Sequence, residues 1–315
     1  MKQQTFAVSN FEQYGKVTKK EAFLKKMDEV LPWDELGSVI EPYYPKGEGA
    51  GRKPIGIIRM LKIYFIQHWF QLSDPAAEES LYDSRAFREF VGIDLGNEPA
   101  PDETTILKFR HLLEKHNLGK EIFKTINAFL KENGIKVNQG TIVDATIIEA
   151  PTSTKNREQA RDPDMKQTQK GNQWHFGMKT HIGVDSKTKM VHSVVVTSAN
   201  VHDSQVISEL LHGKEKRVWG DSAYTGQKEK IREASPYAKD FTHKRSFRNK
   251  PLTELDNQKN RTKSSIRVKV EHVFHILKCQ FGFVKVRYRG LEKNRNHVFS
   301  AMALVNIVLF TRMQK

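Results

Sequence analysis

Residues 141–150, TIVDATIIEA, decide the fold, because a run of β-branched and apolar residues with one carboxylate at its centre is typical of a buried strand. Two further β-rich runs follow it, WHFGMKTHIGVD (174–185) and MVHSVVVTSA (190–199), and the polar turn DSKTK (185–189) joins them. Three such runs in succession predict an antiparallel meander.

The chain then changes to an alternation of helical and strand-like segments. We predict a helix through residues 204–213, a short strand at KRVWGD (216–221), a helix at QKEKIREA (227–234) and a long helix from about Thr262 to Cys279. Residues 151–170 are polar and predict an exposed loop. This order predicts an α+β or α/β fold, with a mixed sheet flanked by helices.

Upstream of the sheet, the first 130 or so residues carry repeated helix start signals. Thr18 and Glu21 form a capping-box pattern, Pro54 suits the first turn of a helix through residues 55–70, and Asp74 with Pro75 begins another. We therefore predict two domains: an all-helical region over residues 1–135 and a sheet domain over residues 136–315.

The composition favours a polyanionic partner. The chain has 52 Lys and Arg against 37 Asp and Glu, a net charge of +15, and its 38% hydrophobic content excludes a wholly disordered protein. Cys279 is the single cysteine, and the first twenty residues do not resemble an export signal, so we expect a cytoplasmic protein. The apolar run at residues 298–310 is shorter than the roughly twenty residues of a membrane span, which predicts a buried helix and no membrane partner.

Two aspartates break the apolar pattern of the predicted strands. Asp144 lies among apolar neighbours, where an unpaired buried carboxylate costs several kcal/mol, so we expect a cation to meet it. Asp221, in VWGDSAYTG, follows a short strand. Its alternative role is an ordinary helix cap or turn residue.

A third acid lies on the predicted helix SSIRVKVEHVFHILKCQFG (264–282). At about 100° per residue, Arg267, Glu271 and Lys278 fall within roughly 40° of one another, beside an apolar face. The alternative is a solvated face with an Arg267–Glu271 pair one helical turn apart.

Two aspartates and a glutamate supply the anionic oxygen ligands that a pair of Mg²⁺ ions requires, with Mn²⁺ as a substitute. Two such ions about 4 Å apart activate a water or a 3′-hydroxyl and stabilise the leaving oxygen of a phosphodiester. Arg267 and Lys278 would hold the DNA phosphates nearby. The sequence therefore predicts metal-dependent phosphodiester chemistry at Asp144, Asp221 and Glu271.

These motifs resemble the DDE transposases of bacterial insertion sequences, in particular the Insertion Sequence Five family. The likeness rests on PDETTILKFRHLLE (101–114), TIVDATIIEAP, HFGMKTHIGVD with NVHDS, GDSAYTG, and the Arg267-x3-Glu271-x6-Lys278 signature followed by FGFVKVRYRG. Related families begin that signature with a tyrosine three residues before the arginine, where this chain has Ser264.

The resemblance implies a ribonuclease H-like fold, a catalytic triad of Asp144, Asp221 and Glu271, and an N-terminal region that binds DNA. It also implies double-stranded DNA as partner, both element ends and target, and a homodimer or higher assembly on that DNA. In a bacterium such a protein would associate with the nucleoid when bound to DNA.

Further basic residues are candidate DNA contacts, with a solvated surface as the alternative for each. They lie on the second β-rich run, in AKDFTHKRSFRNK (238–250) and in VKVRYRGLEKNR (284–295): His175, Lys179, Lys244, Arg245, Arg248, Arg287 and Arg289.

We therefore expect a transposase that binds terminal inverted repeats, exposes 3′-hydroxyls and joins them to target DNA. Two alternatives remain open: a ribonuclease H-like nuclease without strand transfer, and a catalytically silent DNA-binding regulator derived from a transposase. His272 and His275 do not predict zinc because no third ligand accompanies them.

Overall fold

The computed structural model describes residues 16–47, 53–247, 249 and 251–314. Seven helices precede the sheet in this part of the chain: α1 (Lys19–Val30), α2 (Trp33–Ile40), α3 (Ile57–Phe70), α4 (Asp74–Asp83), α5 (Arg85–Val91), α6 (Glu103–Lys115) and α7 (Leu118–Glu132). The Thr18 side chain accepts a hydrogen bond from Glu21 N, and the Glu21 side chain accepts one from Thr18 N, which confirms the predicted capping box. α3 begins at Ile57, with Gly56 as its N-cap, which is two residues later than the predicted helix over residues 55–70.

Six strands form one mixed sheet: β1 (Gly140–Glu149), β2 (Lys166–Lys170), β3 (Gln173–Asp185), β4 (Val191–Ser198), β5 (Arg217–Trp219) and β6 (Lys239–Asp240). β3 lies antiparallel between β1 and β4, which confirms the meander. β2 pairs antiparallel with the beginning of β3, before the residues that pair with β4. On the other side β5 pairs parallel with β1, and β6 with β5. The predicted mixed sheet with flanking helices is confirmed.

Three predicted elements differ from the structure. Residues 166–170 form β2 within a segment predicted to be loop, and residues 204–213 form short 3₁₀ turns instead of a helix. The last helices are α8 (Lys228–Ala234), α9 (Glu254–His275) and α10 (Leu291–Met313). α9 begins eight residues earlier than predicted and continues as a π-helical segment over Ile276–Gln280.

One edge of β1 is largely open. β5 pairs only with Gly140–Ile142, and the next backbone pairing on that edge joins Glu149 to the loop at Lys285. Between these points Ala145 N donates to the Asp144 carboxylate at 2.8 Å, and Ile147 O accepts from Lys278 Nζ at 2.7 Å. Side chains therefore satisfy backbone groups that a neighbouring strand would otherwise bond.

The two faces of the sheet pack against different cores. Ile142 and Ile148 face the larger core, which includes α9, α10 and the N-terminal helices, whereas Val143 faces a smaller core around Tyr224. α10 is buried along nearly its whole length, as its apolar sequence predicts. Within the described ranges, no helix has both the length and the apolar character needed to cross a membrane.

Candidate active site

A cleft of about 440 Å³ lies at the open edge of β1, and three acidic side chains from separate elements line it. Asp144 is at the middle of β1, Asp221 follows the end of β5, and Glu271 is on α9. Asp221 also caps the 3₁₀ turn Ser222–Tyr224, because its Oδ1 accepts from Ala223 N at 2.9 Å. Asp221 therefore caps this turn and also lines the cleft.

The Asp144 carboxylate carries the clearest electrostatic signal in the cleft. Its Oδ2 lies 3.2 Å from Arg267 Nη2, so the cation expected beside it is present on α9. Burial raises the pKa of Asp144 to about 6; Arg267 and the Ala145 amide oppose this rise, and the Asp221 carboxylate adds to it. Arg267 therefore offsets only part of the cost of the buried negative charge.

Glu271 has a different environment from Asp144. It is exposed at the mouth of the cleft, and none of the residues that the structure describes donates a hydrogen bond to it. The alternative Arg267–Glu271 pair along the helix does not form, because Arg267 pairs with Asp144. Glu271 is therefore open to a further partner.

The three carboxylates surround the cleft without converging on one point. Their ligand oxygens do not all lie within 4.8 Å of one another; in the described ranges only His192, His212 and Glu215 meet that criterion. Those three do not line the cleft, and internal hydrogen bonds already join them: Thr141 Oγ1 lies 3.1 Å from both His192 Nε2 and Glu215 Oε1.

Two of the predicted DNA contacts have fixed positions, one in the cleft and one outside its lining. Lys179 lines the cleft, donates to Val201 O at 2.8 Å and lies 3.0 Å from Asp203 Oδ1. Lys278 lies in the π-helical segment after α9, where its Nζ donates to Ile147 O at 2.7 Å and burial lowers its pKa.

The remaining candidate DNA contacts do not line the cleft. His175 Nδ1 lies 3.0 Å from Glu149 Oε1, and Lys244 Nζ lies 2.6 Å from Asp256 Oδ1. Arg245 is exposed, and Arg248 lies outside the described residues. Their contact with DNA stays a prediction.

The two arginines after α9 have protein partners. Arg287 donates to the backbone carbonyls of Gln71 and Leu72, at the end of α3, the second at 2.7 Å. Arg289 forms an ion pair with Glu158. Arg287 therefore ties the segment after α9 to the N-terminal helices, whatever contact it makes with DNA.

Asp203 is a cleft residue that the site prediction missed. His202 Nδ1 accepts from Ser204 N at 3.3 Å and caps the turn, so Asp203 is not its cap. The Asp203 carboxylate lines the cleft and pairs with Lys179. A signal was present in the motif NVHDS, whose acid comes five residues after the end of β4, but this pattern does not distinguish a cap from a site residue.

Comparisons with known proteins show the family to which the chain belongs. A solved structure, described as "Cryo-EM structure of piggyBac transposase synaptic complex with hairpin DNA (SNHP)", is similar over 92% of this chain and 72% of its own, with a TM-score of 0.48 and 8% sequence identity. Residues 11–112 match the family Transposase domain (DUF772), and residues 136–307 match the family Transposase DDE domain. Because the second match spans more than half of the sequence, the chain belongs to the Transposase DDE domain family.

Proposed function

We propose that this protein is a transposase of the Insertion Sequence Five family, which binds the terminal inverted repeats of its element, cleaves them to expose 3′-hydroxyls and joins these to target DNA. The observation that carries the proposal is the single cleft that Asp144, Asp221 and Glu271 line from three separate elements. Membership of the Transposase DDE domain family supports the same reaction.

The residues of the cleft fit divalent metal ions. Three carboxylates offer hard anionic oxygens, the ligands that Mg²⁺ and Mn²⁺ prefer, and the half-buried Asp144 has only Arg267 and the Ala145 amide to offset its charge. The spread of the acids is compatible with a two-ion site, which distributes its ligands over centres about 4 Å apart. When bound by Asp144, Asp221 and Glu271, such ions would activate the attacking oxygen and stabilise the leaving one.

The cations of the cleft are suited to the phosphate backbone of DNA. Arg267, held by Asp144 in this structure, has a planar guanidinium that can bond two phosphate oxygens at once. Lys179 and Lys170 line the same cleft. We propose that these side chains orient the scissile strand while the acids hold the metal.

A basic segment between β6 and α9 extends the proposed DNA surface. Lys244 and Arg245 are exposed, and the ring of Phe247 beside them is 58% exposed. An exposed aromatic ring among cations suits stacking on an unpaired base. We propose that this segment, with Arg248, contacts DNA next to the cleft.

The proposal also covers the fold of the sheet domain, the roles of the two regions and the assembly. The sheet domain would have a ribonuclease H-like fold. Residues 1–135 would bind the terminal repeats, and residues 136–315 would catalyse the reaction. The active form would be a homodimer or larger assembly that holds two DNA ends together. The net charge of +15 supports binding to DNA.

Cleavage of a terminal-repeat duplex tests the proposal. We expect the native protein to cut in Mg²⁺ or Mn²⁺ but not in EDTA, and Asp144→Asn, Asp221→Asn and Glu271→Gln to bind the duplex and lose at least about a hundredfold in rate. Glu132→Gln, an exposed acid at the end of α7, is the matched control and should cut normally. Full activity in any of the three variants would exclude that acid as a ligand.

A second assay separates the proposal from its alternatives. With a pre-cleaved end that carries a 3′-hydroxyl, a transposase joins the end to a target plasmid, whereas a nuclease without strand transfer leaves it unjoined. Repeat binding without cleavage in either metal would instead identify a silent DNA-binding regulator.

A further inference from the structure

Buried polar atoms without hydrogen-bond partners gather beside the cleft. Among the described residues, such atoms include Thr180 Oγ1, His181 Nδ1, Tyr224 Oη and Arg267 Nε. Unpaired buried polar groups are rare because burial without a partner is costly. Their concentration next to one cleft indicates a functional arrangement instead of a packing defect.

Asp203 lies at the centre of this group. Its Oδ1 is 3.0 Å from Lys179 Nζ and 3.8 Å from His181 Nδ1. Burial lowers the pKa of His181 to about 4, so its imidazole is neutral near pH 7. Lys179 therefore supplies the positive charge that faces the Asp203 carboxylate.

The ion pair restrains Lys179 on the wall of the cleft. Its side chain is only 12% exposed, and Nζ is anchored twice, by Asp203 and by the carbonyl of Val201. A free lysine side chain loses rotamer entropy when it is fixed at one position. Asp203 removes much of that cost before DNA arrives.

Tyr224 lies near Asp203 in the fold. The turn Asp203–Gln205 contacts the turn Ser222–Tyr224, which begins immediately after Asp221. Tyr224 is fully buried and its hydroxyl has no partner. Burial raises the pKa of Tyr224 well above its usual value, and Asp203 is the largest of the charged contributors to that rise.

We propose that Asp203 is a positioning residue that holds the Lys179 ammonium in the cleft for contact with a DNA phosphate. This inference rests on the function proposed above. It assigns to Asp203 a role that acts through Lys179, distinct from the metal-binding role of the three acids.

A double-mutant cycle tests the inference, with single-turnover cleavage of the terminal-repeat duplex as the readout. We expect Lys179→Met and Asp203→Asn each to slow cleavage about tenfold, the equivalent of one charge-assisted hydrogen bond. The double variant should be no slower than Lys179→Met alone, because Asp203 acts only through Lys179. Lys187→Met, an exposed lysine in the turn at the opposite end of β3, is the matched control and should cleave normally.

A further variant distinguishes positioning from a merely structural role. Asp203→Glu keeps the carboxylate and should cleave faster than Asp203→Asn. Urea titration of both variants shows whether a difference in folding accounts for the difference in rate.

The outcomes separate this inference from the function on which it rests. Native rates for Asp203→Asn, or a double variant that loses the product of the two single losses, would overturn the positioning role while native cleavage still stands. A native protein that does not cleave the duplex at all would refute the proposed function, and this inference with it.

Discussion

Asp144 holds its carboxylate where a negative charge is costly, and this has a consequence for stability. Burial raises its pKa to about 6 from 3.8, so between these values the folded protein binds more protons than the unfolded chain. The free energy of unfolding therefore falls as pH rises through this window and stays lower above it. The full cost is on the order of 3 kcal/mol, since one pKa unit corresponds to about 1.4 kcal/mol.

We accordingly predict that Asp144→Asn, which removes the charge and keeps the shape, stabilises the protein by about 1–3 kcal/mol at pH 8 in EDTA. The difference should nearly vanish at pH 4. Urea titrations at the two pH values measure it. Mg²⁺ should raise the melting temperature of the native protein and not that of the variant, because only the native cleft gains a compensating cation.

An Asp144→Asn protein that is no more stable than the native one at pH 8 would contradict this reading. Asp185→Asn is the opposite control. Three backbone amides and the Thr188 hydroxyl hold the pKa of Asp185 below its usual value, so loss of that charge should destabilise the protein.

Residue by residue, the sequence predicted the cleft acids better than it predicted their partners. Asp144 was predictable because an unpaired carboxylate among apolar residues is costly. Arg267 and Glu271 were predictable because they lie on the same face of a predicted helix. The Lys179–Asp203 pair could not be predicted, because it joins a strand to a residue 24 positions later, and the course of the turn that carries Asp203 has no sequence signal. Tyr224 gave no signal, since a buried tyrosine with an unpaired hydroxyl has the same sequence pattern as one with a partner.

At the scale of elements, α3 and α10 meet through two buried histidines. His68 and His297 stack with ring centroids 4.0 Å apart. Burial lowers the pKa of His68 to about 3, and that of His297 well below its usual value. Below pH 6.5 the unfolded chain therefore takes up protons that the folded protein does not, and the free energy of unfolding falls as pH falls.

We predict a loss of about 2 kcal/mol of stability per histidine between pH 7 and pH 5. His68→Phe, which keeps an aromatic ring at this contact, should reduce the steepness of that loss by about half. The measurement is the free energy of unfolding in urea at several pH values. His111→Phe, at an exposed position on α6, should leave the pH dependence unchanged; equal slopes in all three proteins would refute the role of the pair.

Elements with strong periodicity were predictable, and weakly patterned ones were not. The meander followed from its β-branched runs, and α10 from its continuous apolar sequence. β2 was missed because KQTQK has no apolar residue and lies at the edge of the sheet, where pairing with β3 and not composition makes it a strand. The helix predicted at residues 204–213 gave way to turns in which Ile207 and Leu210 still pack into the smaller core.

At the scale of the whole molecule, the helical region and the sheet share one core. α10 packs against α7 on one side and β4 on the other. Gly119 N donates to Asn296 Oδ1 at 2.7 Å, and a Cβ at Gly119 would lie 2.3 Å from Asn296 O, so α7 and α10 approach closely. The division at residue 135, predicted from the change of pattern along the sequence, is therefore not expected to separate two independently stable bodies.

We predict that a fragment of residues 136–315 does not unfold cooperatively, because removal of the N-terminal helices exposes the apolar face of α10. Circular dichroism with heating should show one sharp transition for the full chain and a broad one for the fragment. A fragment that melts sharply, close to the melting temperature of the full chain, would contradict the shared core.

A point substitution in the full chain provides the matched test of the same contact. Gly119→Ala should lower stability by about 1–3 kcal/mol through overpacking between α7 and α10. Gly56→Ala should have little effect, because a Cβ at that position meets nothing within 4 Å and the backbone φ is −54°.

The most direct test of the metal-binding role of the cleft is the anomalous scattering of Mn²⁺ in crystals of the protein bound to a terminal-repeat duplex. We expect two peaks about 4 Å apart, ligated by Asp144, Asp221 and Glu271 beside the scissile phosphate. Peaks confined to another place, such as the cluster of His192, His212 and Glu215, or an empty cleft in a crystal with DNA in place, would contradict the account.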